Sequence, residues 1–134
     1  MKYTYLLLST ICVLFACQPE VGGGIVIIYG DVIGSYEGHC ANYSTSTSDL
    51  MNREESTLSV SAVNTEEASV KTSCDRFDDQ QLTIRSSSAS EIFFEKILSD
   101  NSVISLRYIA ASDSLVLTQK GSGDNNLIFA GVRK

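Results

Sequence analysis

His39 is the only histidine of the chain and stands directly beside Cys40. An imidazole is the usual base for a serine or cysteine nucleophile, and a carboxylate must orient it. No Gly-x-Ser-x-Gly turn accompanies His39, so it reads as a hydrogen-bonding residue on a strand. Carboxylates occur in adjacent pairs at Glu54-Glu55, Glu66-Glu67 and Asp78-Asp79. Neighbouring residues on a strand point to opposite faces, which is wrong for an acid and a base acting on one substrate. Asp75, Asp78 and Asp79 crowd one short segment but lack the spaced oxygens and the glycine of a calcium loop. One histidine and no Cys-x-x-Cys leave no zinc ligand set. Glycines 22–24 precede an apolar run without a lysine or a helix, so they form no phosphate cradle. These residue types predict a protein with no catalytic residues, no metal and no cofactor, and therefore not an enzyme.

The first seventeen residues carry more information. Met1-Lys2 supplies a positive start, an apolar run of about ten residues follows from Leu6, and Ala16 ends it beside Cys17. That is the layout of a secretory signal peptide. A membrane-spanning helix needs about 20 apolar residues, roughly twice this run. Leu14, Ala16 and Cys17 resemble the lipobox of bacterial lipoproteins, Leu-x-Ala/Gly-Cys. The resemblance covers the leader alone. It implies that residues 1–16 are removed and that Cys17 is lipidated with fatty acyl chains such as palmitate. Two or more such chains give stable anchoring. Gln18 follows the cysteine where an aspartate would favour inner-membrane retention, so the resemblance implies the outer membrane. Residues 17–24, with Pro19 and the three glycines, read as a flexible tether. Residues 25–134 then form one small domain.

Cys12 lies in the apolar leader and Cys17 at the anchor, which leaves Cys40 and Cys74. An oxidising compartment favours their pairing. A disulfide enclosing about 35 residues would contribute about 3–4 kcal/mol in the chain-entropy model. Two free thiols or a metal pair are the alternatives. The chain carries 16 acidic against 10 basic residues, a formal net charge of −6. The cations at Lys71, Arg76, Arg85, Lys96, Arg107 and Lys120 are scattered. Phosphate neutralisation drives nucleic-acid binding, so this chain is a poor candidate for it.

From Ile33 onward the hydrophobic pattern has period two, broken by short polar turns. Leu58, Val60 and Ala62 alternate with serines; so do Val70, Thr72 and Cys74 with Lys71 and Ser73. Leu82 with Ile84, Ile92 with Phe94, Ile104 with Leu106 and Tyr108, Leu115 with Leu117, and Leu127 with Phe129 repeat the pattern. Residues 25–29 are apolar and β-branched, a first strand or a strand-like lead-in. Residues 44–54 form the one longer connection, with a short turn of helix expected around Leu50. The pattern predicts an all-β fold, a small antiparallel meander barrel of about eight strands, with other small barrels or a sandwich as alternatives. Strands of about seven residues and large inward side chains predict a filled or barely hollow interior.

Gly34-Ser35-Tyr36 opens this region and Val132-Arg133 closes it. The pair resembles the lipocalin-like, or calycin, pattern, in which a first-strand Gly-x-Trp meets a last-strand arginine. Here Tyr36 takes the place of the tryptophan. The resemblance implies a barrel-closing pair, Tyr36 and Arg133, with a guanidinium against an aromatic ring. The functional expectation is an outer-membrane-anchored, non-enzymatic binding or accessory module. It would meet the membrane through its lipid and a protein of the envelope as partner. One alternative is an inhibitor of lysozyme or another hydrolase, since membrane-bound lysozyme inhibitors are also small disulfide-bonded β-barrel lipoproteins. The other is a lipocalin-like carrier of a small apolar ligand.

Overall fold

Eight strands follow one another in chain order: β1 (Gly34–Tyr43), β2 (Leu50–Ala62), β3 (Glu67–Thr72), β4 (Gln80–Ser87), β5 (Glu91–Ile97), β6 (Val103–Ile109), β7 (Ser114–Lys120) and β8 (Asn126–Arg133). Each pairs antiparallel with the next, and β8 pairs with β1, so the sheet is a closed meander barrel. This computed structural model describes residues 29–44, 50–121 and 126–134. The leader, Cys17, the tether and the apolar residues 25–28 lie outside the described residues.

The period-two pattern places one face of every strand inside. Cross-strand pairing then stacks these faces into rows. Cys40 on β1 faces Phe129 on β8, which faces Leu117, Leu106 and Phe94 on β7, β6 and β5. Tyr36, Phe94, Phe129, Leu58, Leu82, Leu106 and Leu117 are all fully buried. Burying one such side chain is worth about 1.5–3 kcal/mol. The alternate positions on β2 and β3, among them Ser59, Ser61 and Lys71, face water. The interior is thus filled by side chains, as eight strands of this size allow.

Three local expectations are corrected. Residues 50–54 are not part of a long connection with a helical turn; β2 begins at Leu50 and runs to Ala62. Its first half carries no apolar alternation because it lies at the rim, where Glu54 and Ser56 occupy the inward positions. Backbone pairing to β1 alone makes it a strand there. Tyr29 is not strand but the start of a 3-10 turn, Tyr29–Val32, that crosses the end of the barrel we call the floor. Cys74 is not the end of the third strand, since β3 stops at Thr72. Residues 73–79 instead form a strap across the opposite end, the mouth. The strap is pinned by the Cys40–Cys74 disulfide, whose Cα atoms are 5.8 Å apart, and Phe77 on it is buried.

Closure depends on two glycines. Gly38 on β1 pairs with Gly131 on β8. A Cβ on Gly38 would fall 2.0 Å from the Ala130 carbonyl oxygen, and one on Gly131 would fall 2.7 Å from the Glu37 oxygen. Both obstacles are backbone, which cannot swing aside. Gly38→Ala should therefore cost about 2–3 kcal/mol or prevent folding. Ser35→Ala, on the same strand with an exposed side chain, should stay within about 0.5 kcal/mol. Urea titration of both variants checks this; equal stability of the two would contradict the closure geometry.

Candidate functional site

On the outer wall, His39 of β1 pairs across the ladder with Glu55 of β2, and Glu37 with Thr57. These four side chains, with Ser73, line an open depression of about 500 Å³ floored by Gly38 and Ser56. No hydrogen bond among the described residues joins His39 to Glu55, Thr57 or Ser73. Glu37 is engaged by the Lys134 ammonium at 2.6 Å. Among the described residues, then, no hydroxyl is hydrogen-bonded to His39 as a nucleophile would be and no carboxylate orients its imidazole. Among the described residues no group of three or more His, Cys, Asp or Glu side chains is placed to hold a metal ion.

At the floor the guanidinium of Arg133 lies 5.2 Å from the centre of the Tyr36 ring and 6.0 Å from that of Tyr108. Its principal contacts are hydrogen bonds. Nε donates to both oxygens of Asp113 at 2.9 and 3.0 Å, Nη1 to the Ile33 carbonyl at 2.7 Å, and Nη2 to the Asp31 carbonyl and the Tyr36 hydroxyl. Tyr36 donates its own hydroxyl hydrogen bond to the Val32 carbonyl at 2.7 Å, and Tyr108 donates to Asp113 at 2.9 Å. Gly34 makes room: a Cβ there would sit 2.4 Å from Nη1. Burial pushes the Tyr36 phenol up to about 12, and the Arg133 charge beside it only partly offsets that. Tyr36 is thus a neutral donor at any physiological pH. Asp113 is the carboxylate that anchors this arginine. It sits at the left-handed position (φ 44) closing the short 3-10 turn Ala110–Ser112. Every group here is bound to another, so the floor is a lock.

The mouth differs. One inward row crosses three strands there: Asn42 on β1 faces Leu127 on β8, which faces Gln119 on β7. The row below it is apolar throughout; this one exposes two amides. Arg76 reaches the same place from the strap, held there by a left-handed backbone at φ 68. Asp100, Ser102 and Gly121 complete a cleft of about 270 Å³. A second cleft of about 180 Å³ adjoins it through Asn42 and Arg76. The amides of Asn42 and Gln119 and the guanidinium of Arg76 have no hydrogen-bond or ion-pair partner among the described residues. Asp100 has two: the Ser102 N–H at 2.9 Å and its hydroxyl at 2.5 Å both reach Oδ1. They hold the carboxyl below its usual range, so it is ionised. The sequence pattern marked Arg76 only as a scattered cation and did not single out Asn42 or Gln119. Their signal was polar residues at strand positions whose parity points inward.

No protein-family model, no curated protein and no solved structure matches the chain. The mouth cleft is therefore judged on its own geometry. It is concave, small and lined by convergent polar groups over a leucine, and barrel mouths are a recurrent place for small-molecule sites.

The floor yields a pH dependence. The Arg133 hydrogen bond holds the Asp113 carboxyl below the ordinary 3.8, with a smaller opposing effect of burial. A depressed native pKa stabilises the fold above the unfolded value, and the gain is lost as the pH falls through the native pKa. Asp113 is about half exposed, so the gain is modest, about 1 kcal/mol. Asp113→Asn should lower stability by that amount above about pH 5. The gap to wild type should close below about pH 3.8, measured by thermal unfolding in a pH series. A gap that persists unchanged at pH 2.5–3 would show that the carboxylate charge is not what Arg133 uses.

Proposed function

We propose that this chain is a lipid-anchored, non-enzymatic binding module of the bacterial outer membrane that acts through its barrel mouth. The observation that carries the reading is the inward row Asn42–Leu127–Gln119 beneath Arg76. Its two amides and the guanidinium above them are polar groups without partners among the described residues, at the mouth of the barrel. The lipobox residues Leu14, Ala16 and Cys17 support the anchor, and the Tyr36–Arg133 contact at the floor supports a lipocalin-like ancestry.

The filled interior favours this reading over a carrier of apolar ligands. Phe94, Phe129, Leu106 and Leu117 occupy the volume such a ligand would need, and Phe77 of the strap packs into the same core. No separate observation favours a lysozyme inhibitor.

Two measurements test the reading. Cys17→Ala should move the protein from the membrane fraction to the soluble fraction of the cell; retention in the membrane would refute the anchor. Gln119→Leu addresses the mouth. Its neighbours in the row are Leu127 and Ile104, so an apolar side chain there would bury against them. If the glutamine serves binding and not the fold, Gln119→Leu should raise stability by about 0.5–1 kcal/mol. A loss of more than about 1 kcal/mol would make Gln119 a structural residue.

A further inference from the structure

The charges of the mouth cleft specify what can occupy it. Arg76 supplies one cation and Asp100 one anion, and no ion pair joins them. Asp100 uses Oδ1 for Ser102 and leaves Oδ2 without a partner among the described residues. A simple anion drawn to Arg76 would meet Asp100, and also Glu54 and Asp75 in the adjoining cleft. A simple cation drawn to Asp100 would meet Arg76. Only a ligand bearing both signs satisfies the two together. Asn42 and Gln119 lie in one row, and each offers an amide donor and an acceptor. Those groups suit a peptide bond or a second amide. No aromatic ring is among the described residues that line the cleft, and these offer no stacking face of the kind that favours a sugar. The volume of about 270 Å³ falls just below the range of about 300–1,000 Å³ that takes drug-sized ligands.

We infer that the mouth cleft binds a small zwitterion of the amino-acid or dipeptide class. Its carboxylate lies on the Arg76 guanidinium, its ammonium on Asp100 Oδ2, and its amide against Asn42 and Gln119. The inference rests on the mouth as the binding end and adds the class of ligand. A guanidinium holds a carboxylate in two parallel hydrogen bonds, which gives both affinity and orientation. The strap positions that guanidinium. Cys74 is tied to β1 and Phe77 is buried, so the backbone of Arg76 between them is anchored beside the row. So few contacts, at the solvent edge, predict weak binding, with a Kd of about a millimolar.

The test is a ¹H–¹⁵N NMR titration of the full chain, purified with its N-terminus as the cell makes it. Four probes are used: glycylglycine, its N-acetyl form, its C-terminal amide, and glucose. Glycylglycine should shift the Asn42, Arg76, Ser102, Gln119 and Gly121 amides saturably. Acetylation removes the ammonium and amidation the carboxylate, and each should weaken binding about tenfold or more. Arg76→Asn should weaken it equally. Asparagine tolerates the left-handed backbone and the side chain replaced is exposed, so the fold should persist. Equal binding of the capped probes, or undiminished binding by Arg76→Asn, overturns the zwitterion. A response to glucose but not to glycylglycine also overturns it, while leaving the mouth as a binding end. Silence toward all four overturns it and removes the support it lends the mouth.

Discussion

Eight strands in sequence become a barrel only when the first and last pair, and that ladder closes the longest loop in the molecule. Its entropic cost falls on the final step of assembly, because strands so distant in sequence gain nothing from one another until both are in place. The eight residue pairs from Tyr36–Arg133 to Tyr43–Asn126 must therefore bind tightly. Gly38 opposite Gly131 lets the two backbones approach to a distance at which any Cβ would collide with a carbonyl. Arg133 then fastens the end of the ladder to three other pieces of chain: the Asp113 turn, the first 3-10 turn and the start of β1. One guanidinium can do this because its donors lie in a fixed fork with several directions. A lysine, with one compact ammonium, could not bind all three.

The two ends of the barrel solve the same problem by different means. At the floor, noncovalent bonds join the polar groups around Arg133: arginine with aspartate, phenols with carbonyl and carboxylate. At the mouth the ladder between β2 and β3 stops at Leu58–Thr72, and the first half of β2 continues with β1 alone as partner. The strap leaves β3 there and turns across the opening, and a disulfide replaces the strand pairing that would otherwise hold it. The free edge left on β2 is blunted by charge at Arg53, Glu54 and Glu55 and by the bulge at Asn52, whose backbone turns to φ 52. Those are the usual means by which an edge resists pairing with another chain.

The meander and its core were legible because burial imposes a period of two: of the apolar positions of that period from Leu58 to Phe129 that the sequence displayed, Ala62 at the end of β2 is exposed and Ile84 partly buried, and the rest are buried inside. The first half of β2 was not legible. Strand formation there follows from backbone pairing, and residues such as Asn52 and Glu54 carry no trace of it. The partner of Arg133 was hidden for a different reason. The sequence pointed to an aromatic ring, and Tyr36 is adjacent, but the carboxylate that receives Nε comes from a turn 20 residues upstream. Nothing in a single chain announces such a pairing. The mouth row was legible in principle: Asn42 and Gln119 continue the inward parity of Cys40 and Leu117. An alternation read for its apolar members overlooks the polar ones that keep the same phase.

That polar continuation is the least economical feature of the fold. Leucine at either position would extend the apolar column, and amides half out of water lose hydration with no protein partner in return. Each such group costs stability in a domain whose margin is small at this length. The floor shows that this chain can satisfy polar groups when the fold alone is at stake; Tyr36, Tyr108, Asp113 and Arg133 leave little unbonded. Unpartnered polar groups in an otherwise consistent structure mark the places where a fold yields to function. The unpartnered amides of Asn42 and Gln119 share one row under the strap, at the end of the barrel opposite Tyr29, while the buried Ser56 hydroxyl on β2 is a further group without a partner among the described residues.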